Sequence, residues 1–165
     1  MSITWNIIAE HLRRELSEYG GLLHLYDQQQ RGIFDRQPDA VLRLSTAIRI
    51  QVGLVADSRQ LREQVVTQFA DAHGRPANST LRELLPHVDP DARPLLEALI
   101  AEINLLLHRV RRTHRQNHTL LSKAVTMHQE TLQLLWPNSF TRMYSPAGMV
   151  SVASGRSPST LSVAG

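Results

Sequence analysis

The chain contains no cysteine. Disulfide scaffolds, Cys-ligated zinc and iron–sulfur centres are therefore excluded. Aromatic residues are scarce, 5% of the 165 positions, and the glycines and prolines fall mostly between periodic segments; both favour helices over a β-sandwich. No apolar run approaches the roughly 20 residues that cross a bilayer, so no membrane span is expected. Met1 to Glu10 shows no basic segment followed by an apolar one, so no secretory signal is expected either. With nothing pointing elsewhere, the expected location is the cytoplasm. Gly-rich phosphate loops, a G-x-S-x-G element and a Cys nucleophile are all missing. Carboxylates such as Glu15 and Glu18 read as scattered, solvating helix-surface residues. The expectation is a protein that is not an enzyme, has no cofactor and takes no small-molecule substrate.

What is present is helical periodicity. From about Ile3 to Phe34, apolar residues including Ile8, Leu12, Tyr19, Leu23 and Tyr26 recur at steps of three and four, one face of an amphipathic helix. Gly20 and Gly21 interrupt this helix, each costing about 1 kcal/mol against Ala, and would permit a kink or a close helix contact. Asp35 to Pro38 breaks the pattern, and Pro38 suits the start of a second helix running to Ala72. Its apolar face reads as Val41, Leu44, Ile48, Val52, Val55, Val65, Val66 and Phe69. Gly74 is a helix stop. The connector from His73 to Asp91 holds a short helical turn, Leu81 to Leu85, with Thr80 and Glu83 spaced as a capping box.

The last helix dominates. It is predicted from near Asp91 to Pro137, and some 45 residues would reach roughly 65 Å. Its seam, Leu99, Ile103, Leu106, Val110, Thr113, Asn117, Leu120, Ala124, Met127, Thr131 and Leu134, alternates steps of four and three in a heptad-like pattern. Asn117 at a seam position either fixes register or marks a local rotation that exposes it. Residues 138–165 contain no Asp or Glu and hold no helical period, so they read as a disordered tail. The predicted architecture is all-α: an antiparallel bundle of three long helices with a short inserted helix, spanning residues 1–137, and a flexible tail at 138–165 that is a possible cargo-binding segment.

Charge is mildly positive, +3, and Arg supplies all but one of the 18 Lys and Arg. It clusters at His108, Arg109, Arg111, Arg112, His114 and Arg115. A nucleic-acid surface is one reading. Against it, consecutive helical residues point in several directions and no aromatics interleave to stack on bases. Direct nucleic-acid binding is therefore disfavoured. His114 and His118 share a helix face, but further zinc ligands are missing, so no metal is expected.

The end of the chain carries a resemblance. Asn117-His118-Thr119-Leu120-Leu121, followed by an apolar stretch to Trp136 and then by Tyr144-Ser145-Pro146-Ala147-Gly148, resembles the FlgN family of flagellar export chaperones. Leu22-Leu23 to Gln28-Gln29-Gln30, then Asp35, is similar to that family's first helix and turn, and Leu81 to Leu85 to its inserted turn. The dense Arg run and Gly20-Gly21 depart from the pattern. The resemblance implies a cytoplasmic, substrate-specific chaperone that binds hook-filament junction (hook-associated) proteins, prevents their premature assembly and delivers them to components of the type III export gate. It implies no enzymatic activity and no cofactor.

Two stretches fit such a role physically. The end of the last helix, with Met127, Leu132, Leu134, Leu135 and Trp136, offers an apolar face on which a cargo helix could lie. The tail residues Phe140, Met143, Tyr144 and Met149 could anchor on cargo. With the motif residues Asn117, Leu120, Leu121 and Gly148 they form the expected partner-binding set. The competing readings are a basic helical nucleic-acid-associated protein, resting on the Arg run, and a coiled-coil oligomerisation protein, resting on the seam.

Overall fold

The computed structural model describes residues 5–136 and two short strands beyond them, Phe140–Tyr144 and Val150–Ser154. The body is all-α. Helix α1 spans Trp5–Phe34, α2 Pro38–Ala72, a short α3 Leu81–Leu84 runs into a 3₁₀ turn at Leu85–His87, and α4 spans Arg93–Leu135. The chain divides into two compact units, residues 1–118 and 119–165. Each is described separately.

In the first unit, helix ends form where local chemistry stops them. Past α1, Arg36 adopts a left-handed backbone (φ 53°). This lets Gln37 N–H reach Gly32 O at 2.9 Å and Arg36 N–H reach Ile33 O at 3.2 Å, satisfying carbonyls the helix end would orphan. Gly74 (φ 64°) does the same for α2, with Arg75 N–H on Ala70 O at 2.9 Å. The Thr80–Glu83 capping box forms as its spacing predicts: Thr80 N–H donates to Glu83 Oε2 at 2.7 Å and Glu83 N–H to Thr80 Oγ1 at 3.4 Å. Those bonds hold the Glu83 carboxyl below its ordinary range. The Arg93 guanidinium donates to Val88 O and Pro86 O, tying the 3₁₀ turn to the start of α4.

Cross-helix bonds give the directions. Gln29 pairs with Ser45, Gln51 with Glu18 and Arg62 with Glu15, so α2 runs antiparallel to α1. Leu23 shares a recess with Arg109 and Arg112, and the later Tyr26 and Gln29 meet His114 and Asn117, so α4 runs parallel to α1. The core between them includes Ile8, Leu12, Tyr19, Leu22, Val55, Val66, Phe69, Leu84, Leu96 and Ile103.

Two expectations need correction. Glu15 is not a surface carboxylate: it is buried and ion-paired with Arg62. It falls between Leu12 and Tyr19 at steps of three and four, on the apolar stripe itself, and the guanidinium from α2 makes its burial tolerable. Val52 is exposed, because the inward face of α2 runs through Ile48, Val55 and the buried Ser58 instead. Beyond the helical body, β1 (Phe140–Tyr144) pairs antiparallel with β2 (Val150–Ser154), with Phe140 opposite Ser154 and Tyr144 opposite Val150. Phe, Thr, Tyr and Val are strand-favouring residues, and five-residue segments suffice for a short pair.

Two of the three glycines in α1, the adjacent Gly20 and Gly21, differ in their surroundings. The helix passes through both without a break. A Cβ on Gly20 would meet nothing within 4 Å, whereas one on Gly21 would sit 3.2 Å from Gln51 Nε2. That amide donates to Glu18 O at 3.1 Å and Glu18 Oε2 at 2.7 Å. Gly21 therefore clears the path by which an α2 side chain reaches the α1 backbone; Gly20 has no such role.

Candidate partner-binding surface

The seam of α4 changes environment along its length. Leu99, Ile103 and Val110 are buried, and so is Asn117. In the second unit, Leu120 and Ala124 are half-buried, and Met127, Thr131 and Leu134 are exposed. No residue of α4 after Asn117 is buried. A seam pattern that outlasts its own burial leaves apolar side chains facing water. Leu134 is 84% exposed, Met127 67% and Trp136 57%, and Val125, Leu132 and Leu135 are exposed with them. The sequence reading missed Val125, which lies off the seam and gives no periodic signal.

Asn117 is the reverse case. At 1% exposure it points into the first unit. Its Nδ2 donates to Tyr26 O at 2.8 Å and to Gln29 Oε1 at 3.0 Å, and the Gln29 amide in turn donates to Ser45 Oγ at 3.0 Å. One polar chain thus links all three long helices. Of the two readings of Asn117, the register-fixing one fits and the exposed one does not. Its side chain is buried and its amide donates within the fold, so Asn117 offers no surface in this structure. Leu121, like Leu120, is half-buried. Phe140, Met143 and Tyr144 lie on β1. Gly148 and Met149 lie outside the described residues.

Burial raises the Tyr19 phenol above the ordinary 10.0; Glu15 adds to the rise, and Arg59, Arg62 and Arg111 oppose it. Burial likewise raises Tyr26. The His114 ring packs 5.4 Å from the Tyr26 ring, centroid to centroid. Among the described residues no three of His, Cys, Asp and Glu gather as a metal site, and no helix is long and apolar enough to cross a membrane.

The architecture is that of an all-α helical bundle with an apolar face left open at the end of its longest helix. Residues 1–151 match the family model FlgN, described as FlgN protein. No curated protein and no solved structure matches the chain. The chain belongs to the FlgN family, a family of flagellar export chaperones.

Proposed function

We propose that this protein is the cytoplasmic chaperone of hook-filament junction proteins, holding their terminal helical segments and delivering them to the type III export gate. The observation that carries this reading is the exposed apolar run Met127, Leu132, Leu134, Leu135 and Trp136 at the end of α4. A cargo segment that must not assemble early presents an apolar helical face, and such a face seats in apolar surroundings. Burying one Leu or Met side chain contributes about 1.5–3 kcal/mol, so three or four side chains carry useful affinity before association costs are subtracted. Met127 suits a surface that must accept more than one cargo, because its thioether is flexible and polarisable. Leu120 and Leu121 border this run, and Phe140, Met143, Tyr144, Gly148 and Met149 complete the proposed set from the tail.

The test is co-purification with isolated junction proteins. Tagged full-length chain should retain them on a column, and a chain lacking residues 138–165 should retain them less while keeping its helical circular dichroism. Equal retention by both chains removes the tail from the binding set; no retention by either removes the junction proteins as cargo.

A further inference from the structure

Between Glu102 and Glu130, α4 contains no Asp or Glu but four Arg, one Lys and four His. The four arginines do not act alike. The charge of the exposed Arg111 opposes the rise of the Tyr19 phenol. Arg115 donates to Arg111 O at 3.3 Å. Arg109 and Arg112, three apart, lie on the same side of the helix and flank a recess of about 210 Å³ whose other walls are Leu23, Asp27, Thr113 and Gln116. Among the described residues the ion pairs join Arg59 to Glu63 and Arg62 to Glu15 and Glu63, so neither Arg109 nor Arg112 has a carboxylate partner within the fold. One turn before Arg109, Leu105 is 57% exposed. Leu105, Arg109, Arg112 and Gln116 thus form a solvent-facing stripe at steps of four, three and four.

We propose that this stripe is a second docking surface, for an acidic amphipathic helix of a partner protein. A facing helix with an apolar residue followed by carboxylates one turn apart matches the stripe in spacing and in sign. Each guanidinium can hold a carboxylate through two parallel N–H···O bonds. A nucleic-acid backbone fits less well. It needs a row of cations along its phosphates, whereas only two of the arginines line this recess. The surface belongs to the first unit and goes beyond the cargo reading, which concerns the end of α4.

The experiment is fluorescence anisotropy on the full chain with three labelled probes: a 20-residue helical peptide with Leu and Glu at the matching spacing, the same peptide with Gln for Glu, and a 20-nucleotide oligo-dT. Two charge reversals are compared, Arg109→Glu/Arg112→Glu and, as a control for net charge, the exposed pair Arg43→Glu/Arg49→Glu. The Glu peptide should bind at least tenfold more weakly to the first variant and within twofold of wild type to the second. Binding should also weaken with salt, as the screening length falls from about 10 Å at 0.1 M to about 3 Å at 1 M. Circular dichroism of both variants should match wild type. The proposal is overturned if the Gln peptide binds as well as the Glu peptide, if both reversals lose binding equally, or if oligo-dT binds more tightly. It is also overturned if sedimentation shows a dimer that the first reversal dissolves, since the occupant would then be a second copy of this chain. Junction-protein retention by the first variant separates this surface from the cargo site.

Discussion

The Asn117 side chain donates a hydrogen bond to the Tyr26 carbonyl at 2.8 Å, joining residues 91 positions apart. That bond, with the second one to Gln29, sets the height at which α4 lies against α1. Asn117→Ala should lower stability by about 1–3 kcal/mol, because the Gln29 amide oxygen loses its donor and the interior gains a void. The measurement is urea unfolding followed by circular dichroism. An unchanged midpoint would show that the bonds contribute nothing net. Because Asn117 is buried, junction-protein affinity should be retained under conditions where the variant is folded.

The two adjacent glycines of α1 should respond oppositely. Gly20→Ala places a methyl group in open space in a helix interior and should stabilise by about 0.5–1 kcal/mol. Gly21→Ala pushes on the Gln51 amide and should gain nothing or destabilise. Thermal unfolding of both variants side by side decides this. A gain at Gly21 equal to that at Gly20 would mean the Gln51 contact is without energetic value.

Alkaline pH should weaken the fold through its buried phenols. Folding raises Tyr19 and Tyr26 above 10.0, so above that pH the unfolded chain releases phenolic protons that the folded one retains. Stability from this source is complete below pH 10, and it is lost as pH rises through the folded values. Tyr19→Phe and Tyr26→Phe should each flatten the decline between about pH 9.5 and 11.5 in a series of unfolding midpoints. Profiles parallel to wild type would remove the phenols as its cause.

Much of this architecture could be read from the sequence, for identifiable reasons. The three long helices announce themselves through apolar residues at steps of three and four, and Pro38, Gly74 and the Thr80–Glu83 pair mark boundaries by local chemistry. These features depend on neighbours in sequence. What depends on neighbours in space was not legible. The periodicity of α4 continues to Leu134, but nothing in it says that burial ends at Asn117. The choice between a register-fixing and an exposed Asn117 turned on a backbone carbonyl of another helix. Glu15 looked solvated because its Arg62 partner is 47 positions away. Of the candidate surface, Met127, Leu134, Leu135 and Trp136 could be anticipated, since each is a large apolar residue near the end of the last helix; Val125 could not.

The central claim is that the open apolar end of α4 holds cargo. Isothermal titration of a purified junction protein into the full chain and into the Met127→Asp/Leu134→Asp variant tests it most directly. Both side chains are exposed, so the variant should unfold within about 0.5 kcal/mol of wild type. The account predicts affinity at least tenfold weaker, since about 1.4 kcal/mol suffices for that and the two side chains, once covered by cargo, supply more. Equal affinity for both chains would contradict it.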